Sequence, residues 1–255
     1  MHLVMCGCEY TGTTTLGREI VKWAQDTFGT TRFSFHDHFK IPHLSHPPGH
    51  TEEENEALWQ AWDRGEGPDP TMAAFSNEEQ QQILDLSPQI KEMFQRYHVD
   101  YHLQESFYRQ YPHHASIGLH IDEAVYGPYY FDYGGINQYS DRRVMARNIE
   151  QKMNDITDDH ILILLKAAPE VIRARMRDNP HPNQLVKNED VEYILDRFEE
   201  EYEKSLLPHK FTIDTSVATL AQCMEQFKEN VRPILSRSDK ALIAEQLARK
   251  SGSWI

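Results

Sequence analysis

The chain has 255 residues, enough for one α/β domain with a sizeable core or for such a domain carrying an insertion. Charged residues make up 26% and hydrophobic residues 39%, the ordinary balance of a folded globular protein. A formal net charge of −14 argues against polyanionic partners, so neither nucleic acid nor an anionic membrane is expected.

The first apolar run, residues 2–6, reads as a short buried strand. Directly after it comes Gly7-Cys8-Glu9-Tyr10-Thr11-Gly12-Thr13-Thr14, followed by Thr15. A helix is expected from Thr13 to Phe28, because Leu16, Ile20, Val21, Ala24 and Phe28 recur on one face and Gly29 offers a stop. Arg32–His36 reads as a second strand leading into Asp37-His38-Phe39-Lys40, with Pro42 closing the run. Residues 42–111 look like a helical and loop insertion, or a lid, within a single domain spanning 1–255. Its first part is rich in Pro, Gly and His, with a helical piece at Glu53–Trp62, and a helix break is expected near Pro88.

Ile117, Leu119 and Ile121 alternate and then meet Asp122-Glu123, the pattern of a third strand ending in acids. A helix follows from Ser140 to Asp155. His160–Ala167 is a continuous apolar strand of the kind covered on both faces. Pro169 opens a helix bearing Arg173, Arg175 and Arg177. After the turn-rich Asn179–Asn183 come a charged helix at 189–205, a last strand at Phe211–Thr215, a helix at 218–235 and a polar helical tail at 237–255. Strands alternating with helices predict a doubly wound parallel sheet of about five strands flanked by helices.

Three cysteines, Cys6, Cys8 and Cys223, form no disulfide framework, so a reduced cytoplasmic chain is expected. The N-terminal apolar run lacks the leader of a secretory signal, and no stretch reaches the ~18 apolar residues of a membrane span.

The segment Gly7–Thr14 has the length and both glycines of a phosphate-binding P-loop, and it sits where one belongs, between a strand and an amphipathic helix. Thr13 stands where the P-loop lysine is normally found. Backbone N–H groups and the helix dipole bind phosphate without that lysine. A strand–turn–helix with incidental glycines is the plain alternative.

The loop and the alternating layout resemble the nucleoside and nucleotide kinase branch of P-loop proteins. Phe35-His36-Asp37-His38-Phe39-Lys40 is similar to the Asp-Asp-Phe-Tyr/Phe-Lys segment of uridine and nicotinamide riboside kinases. The resemblance implies that Asp37 accepts the proton of the attacking hydroxyl. Leu164–Arg175 is similar to the strand and helix that lead into these kinases' lid, whose arginines neutralise the transferring phosphoryl group; Arg173 and Arg177, at i and i+4, are the pair that share a face. Phe211–Ser216 is similar to their final strand. The implied cofactors are ATP and Mg²⁺, the implied partner is a small-molecule acceptor, and the helix-rich insertion offers a surface for a homodimer.

In that scheme Gly7, Cys8, Glu9, Tyr10, Thr11, Gly12, Thr13, Thr14 and Thr15 hold the donor. Thr14 and either Asp122 or Glu123 hold the metal. Asp122, Tyr126, Arg142 and Arg143 are candidates for the acceptor, and the two arginines are equally readable as surface charges. The aromatic run Tyr126–Tyr133 reads either as packing or as a wall against a ring. His36, His38, His43, His46 and His50 crowd fifteen residues and His113-His114 add two, yet no pair has the spacing of a strong zinc motif.

Two other functions fit. Thr11–Leu16 also resembles the Ser-Gly-Thr-Thr run with which sulfotransferases bind adenosine 3′-phosphate 5′-phosphosulfate, where a threonine after the glycine is normal and His36 or His38 would be the base. That family usually carries a lysine or arginine just before the loop's second Ser/Thr-Gly, and here Tyr10 occupies that place. A P-loop fold without its lysine also suits a non-catalytic nucleotide-binding protein.

Overall fold

A computed structural model of the chain describes residues 1–29, 33–37, 51–63, 77–180 and 183–251. In chain order it comprises β1 (His2–Cys6), α1 (Thr13–Phe28), β2 (Ser34–Asp37), α2 (Glu52–Asp63), α3 (Asn77–Leu84), α4 (Pro88–Tyr101), α5 (Glu105–Gln110), β3 (His114–Ile117), α6 (Leu119–Tyr130) and α7 (Arg142–Ile156). There follow β4 (His160–Lys166), α8 (Pro169–Asp178), α9 (Val191–Lys204), β5 (His209–Asp214), α10 (Leu220–Val231) and α11 (Arg237–Lys250). The histidines at 38, 43, 46 and 50, and most of the Pro- and Gly-rich stretch, lie outside the described residues.

The five strands make one wholly parallel sheet in the order β2-β3-β1-β4-β5. Alternate residues of β1 and β4 enter different cores, because successive strand side chains point to opposite faces. Leu3, Met5, Ile163 and Leu165 meet α1, α10 and α11 on one face. Val4, Cys6, Leu162 and Leu164 meet α6, α7, α8 and α9 on the other. This two-sided cover explains the unbroken apolarity of β4. The three cysteines are free and buried. Among the described residues no helix is long and apolar enough to cross a membrane.

α1 follows the apolar stripe of its sequence. Leu16, Ile20, Val21 and Phe28 are buried against the sheet and contribute roughly 1.5–3 kcal/mol each. Gly29 ends the helix at φ 67°, its N–H closing onto Gln25 O. Pro169 is the first residue of α8, where its missing N–H costs no helical hydrogen bond.

The third strand differs from expectation. It runs from His114 to Ile117, and Ile121, Asp122 and Glu123 lie in α6 instead. Gly118 is the reason. Its φ of 79° leaves the extended region, and its N–H closes the ladder onto Met5 O at 2.7 Å. The chain then turns at once into a helix whose residues Leu119–Gly127 are all buried. A helix enclosed on every side carries no 3.6-residue stripe, so its apolar residues happened to alternate like a strand.

β1 and β3 are neighbours, but their onward connections diverge. The one leaving β1 passes through α1 to β2, beyond β3; the one leaving β3 passes through α6 and α7 to β4, beyond β1. In an open α/β sheet, ligands bind at the carboxyl ends of the strands beside such a switch point. Gly7 and Gly118 stand there.

Candidate phosphate-binding site

The loop between β1 and α1 is closed from within and tied down from without. Thr11 donates twice to Cys8 O, from its N–H at 3.1 Å and its Oγ1 at 2.8 Å. Gly7 sits at φ 156° against the next strand: a Cβ there would lie 2.6 Å from Leu165 O and 2.7 Å from Thr11 Oγ1. Tyr10 adopts φ 69°, and Gly12, at φ 91° and ψ 22°, turns the chain into the helix. The first i→i−4 hydrogen bond of α1 runs from Leu16 N to Gly12 O at 2.9 Å. The N–H groups of Thr13, Thr14 and Thr15 precede it, at the positive end of the helix dipole.

The carbonyl groups of the loop are engaged on its outer side. Arg175 Nη1 donates to Tyr10 O at 2.8 Å and to Thr215 Oγ1 at 3.1 Å, while Nη2 donates to Thr215 O at 2.6 Å. Thr215 Oγ1 in turn donates to Thr11 O at 2.9 Å. Tyr126 Oη accepts from Glu9 N at 3.2 Å. With the Cys8, Tyr10 and Thr11 carbonyls held this way, the loop's carbonyl dipoles are anchored and the helix that opens after Gly12 presents the positive end of its dipole to an anion.

Glu9 and Tyr10 reach across to the segment between α8 and α9. Glu9 Oε2 accepts from Leu185 N at 2.9 Å and Val186 N at 2.7 Å, and Tyr10 Oη donates to Gln184 Oε1 at 2.6 Å. These bonds clasp the loop to Gln184, Leu185 and Val186. The strand order, the glycine loop and the helix it opens together make a P-loop α/β fold.

The acidic pair is divided by α6. Adjacent helical residues project about 100° apart, so the two cannot face one site. Asp122 lies under Gly118, whose Cβ position is 2.5 Å from Asp122 Oδ2. Burial drives the Cys6 and Cys8 thiols and the Tyr126 phenol upward in pKa, and the charge of Asp122 adds to each shift. Asp122 thus borders the loop. Glu123 points elsewhere: both its oxygens accept from Tyr133 Oη, at 3.1 and 3.0 Å, and Oε2 also accepts from Arg142 Nε at 3.2 Å. Burial pushes its carboxyl above the usual range, against the pull of Arg142.

Arg142 is buried and also pairs with Glu92 at 2.9 Å. It lines a cavity of about 470 Å³ between α4, α6 and α7, with Gln95, His120, Glu123 and Ile149. Arg143 binds the N-cap carboxylate of its own helix, Asp141, and so holds that group down to about 2. Tyr126 is fully buried, with its ring against Phe198 and Tyr130.

The α8 arginines separate by helical position. Arg173 binds Asn188 O and Glu192, and Arg177 pairs with its neighbour Asp178 at the surface. Arg175, the one between them, reaches the loop. Lys166 pairs with Glu199. Only the backbone of Asp37 is described; it ends β2 at the same sheet edge. Arg175 was missed because helix periodicity fixes which arginines share a face, not which face meets the loop. Its signal lay in three-dimensional register between α8 and β5.

Neither a protein-family model nor a curated protein matches the sequence. Among solved structures, the chain is similar to the YorR protein of Bacillus subtilis in complex with phosphorylated GDP, at 14% identity and TM-score 0.47, covering 93% of this chain and 100% of that one. It is similar to deoxyadenosine kinase from M. mycoides with bound dCTP, at 14% identity and TM-score 0.48, covering 90% and 98%. It is also similar to thymidylate kinase from Ehrlichia chaffeensis, at 14% identity and TM-score 0.42, covering 90% and 97%. At these identities and scores the likeness says nothing of what this chain binds.

Proposed function

We infer that the chain is a P-loop phosphotransferase. It binds ATP through the Gly7–Thr15 loop and moves a phosphoryl group to a nucleoside-like or other small-molecule acceptor. The observation that carries this reading is a glycine loop closed by Thr11 onto Cys8 O and held from outside by Arg175 and Thr215, opening directly into the N-terminus of α1. Thr14 and Asp122 are hard oxygen donors of the kind Mg²⁺ takes alongside phosphate. When bound, the ion neutralises phosphate charge. Asp37, at the end of β2, orients the acceptor hydroxyl, and Arg173 and Arg177 close from α8 once they leave their present partners. Arg142 and Arg143 are weaker candidates for the acceptor, because each is engaged with carboxylates.

A second reading, a nucleotide-binding protein without turnover, is favoured by one specific feature. Thr13 replaces the loop lysine, and Lys166, Arg173 and Arg177 are each paired with an acid. Phosphoryl transfer depends on charge neutralisation, and these cations are occupied.

One experiment separates the readings. ATP–Mg²⁺ at a hundred times its dissociation constant should raise stability by ~2.7 kcal/mol. Thr13→Lys should tighten that binding and raise ATP consumption in the presence of acceptor nucleosides. Binding without turnover in either protein supports the second reading. Stabilisation by adenosine 3′-phosphate 5′-phosphosulfate with no metal effect supports the sulfotransferase alternative, and no response to either ligand rejects the phosphate site.

A further inference from the structure

We propose that His36, His102 and His114 form a buried site for a single transition-metal ion, Zn²⁺ by the character of its donors. The three come from different elements: His36 from β2, His102 from the C-cap of α4 and His114 from the start of β3. They are 2%, 3% and 5% exposed, and each offers a ring nitrogen within 4.8 Å of the others.

The sheet register explains the meeting. His36 pairs with Ser116, and His114 lies two residues before Ser116 on the same strand. Cross-strand partners and i, i+2 residues share a face, so His36 and His114 project together. The last turn of α4 lays His102 over them, with ring centroids 4.8 Å from His36 and 5.7 Å from His114. Phe107 walls all three, at 6.0, 4.6 and 4.8 Å.

The hydrogen bonds orient ligating nitrogens inward. His102 Nδ1 lies 2.7 Å from His98 O, a carbonyl that can only accept, so Nδ1 carries the proton and Nε2 presents its lone pair. That lone pair accepts from His36 Nδ1 at 2.6 Å, so an ion that takes both nitrogens displaces the proton of His36 Nδ1, which moves to Nε2 or leaves to solvent. His114 Nε2 is 2.7 Å from Ser116 Oγ, while its buried Nδ1 has no hydrogen-bond partner among the described residues. A second nitrogen fixed by a carbonyl or hydroxyl is the usual support of a metal-bound histidine.

Nitrogens around a tetrahedral zinc ion at ~2.0–2.1 Å lie about 3.3 Å apart. The present separations, from 2.6 Å up to 4.8 Å, straddle that value, so ring rotations bring the three into place. Burial disfavours the charged form of both His102 and His114, which is the form that cannot bind a metal. A cavity of about 10 Å³ beside His102, His114 and Ser116 has about the room of one water. Three imidazoles, with no carboxylate in the group among the described residues, suit Zn²⁺, Co²⁺ or Cu²⁺ and disfavour Mg²⁺ and Ca²⁺. The site lies on the face of β2 and β3 covered by α4 and α5, and His114 begins β3, at the end of the strand away from the glycine loop. A bound ion would pin the α4–α5 segment to that sheet edge.

The test uses the full chain, stripped with a chelator and titrated with Zn²⁺ and with Co²⁺. One equivalent of Zn²⁺ should bind and raise the melting temperature, and Co²⁺ should give the visible absorption of a four-coordinate ion. His102→Gln and His114→Gln should weaken binding about 100-fold or more, and Ser116→Ala, which removes only the support of His114, about tenfold. His209→Gln, outside the cluster, should bind as the parent does. Should either ligand variant fail to fold, the parent's Co²⁺ spectrum and the Ser116→Ala affinity still decide. Absence of stoichiometric binding, six-coordinate Co²⁺ absorption, or binding undiminished in the cluster variants would each overturn the assignment.

Discussion

Arg175 braces the glycine loop at Tyr10 O and holds Thr215, which in turn holds Thr11 O, so replacing it perturbs the loop directly. Its guanidinium donates three hydrogen bonds, to Tyr10 O, Thr215 Oγ1 and Thr215 O, at 2.8, 3.1 and 2.6 Å. Hydrogen bonds from a charged donor contribute about 1.5–3 kcal/mol each. The three share one half-buried fork, so they do not add in full, and Arg175→Ala should cost roughly 2–4 kcal/mol. Arg175→Lys keeps the charge but loses the planar fork, whose two nitrogens, Nη1 and Nη2, reach Tyr10 O and Thr215 O separately. It should fall between the parent and the alanine variant. Arg175→Met retains the stem and loses every polar bond, which separates packing from hydrogen bonding. Freed from its partner, the Tyr10 carbonyl can turn toward the ligand space, so ATP affinity should fall about tenfold or more, some 1.4 kcal/mol. Urea unfolding at two wavelengths and nucleotide titration give both numbers. Arg173→Ala is the control: its surface pairing with Glu192 and Asn188 should leave stability unchanged within error. If Arg175→Ala unfolds like the parent and binds ATP as tightly, the tether does not shape the loop and the reasoning fails.

Two further predictions follow from neighbouring geometry. Gly7→Ala should destabilise by more than about 2 kcal/mol, because its Cβ meets the Leu165 carbonyl at 2.6 Å, whereas Gly12→Ala meets nothing within 4 Å and should cost only the left-handed strain of about 1–2 kcal/mol; equal losses in urea unfolding would refute the close approach. His160 is buried with Nδ1 near Thr157 O at 3.1 Å, Nε2 near Tyr108 Oη at 2.9 Å and the His2 ring 5.5 Å away, and burial lowers its pKa to about 4. The unfolded chain, titrating near 6.5, therefore takes up the proton first, so this stability is complete above pH ~6.5 and is lost as the pH falls to about 4, at ~1.4 kcal/mol per unit. His160→Gln should shrink the difference in unfolding free energy between pH 7 and pH 4.5 by about 2 kcal/mol, and an unchanged difference would show that the ring is protonated in the fold.

The sequence made some of this legible and concealed the rest for physical reasons. Signals that act along the chain were readable. The stripe of α1, the Gly29 stop, the Pro169 start and the doubly apolar β4 are each set within a few residues. The end of β3 was not, because one glycine dihedral at Gly118 outweighs an alternating pattern that continues past it. Convergence was least legible. Asp122 and Glu123 are adjacent in sequence but lead to different neighbourhoods, since a helix turns them apart. Arg175 lies between the two arginines that share a face. His36, His102 and His114 come from two strands and a helix cap, and no spacing rule connects them before the sheet register and the α4 packing are known.

The balance of charge around the loop gives the clearest physical reason to expect metal dependence. Arg175 places a positive charge behind the Tyr10 carbonyl, and the α1 dipole adds a partial positive charge in front. Both favour an anion, and neither equals a lysine aimed at the phosphates. Against them stands Asp122, buried under Gly118 close enough for its charge to raise the Cys8 thiol. A carboxylate in so poorly solvated a place repels a polyphosphate unless a cation lies between them, because the low local dielectric strengthens repulsion as much as attraction. A divalent ion sharing Asp122 and the phosphates would convert that repulsion into two attractions. Nucleotide binding should therefore weaken sharply when Mg²⁺ is withdrawn, and Asp122→Asn should reduce that dependence while leaving some metal-free binding. An Asp122→Asn protein with the parent's full Mg²⁺ requirement would place the ion elsewhere.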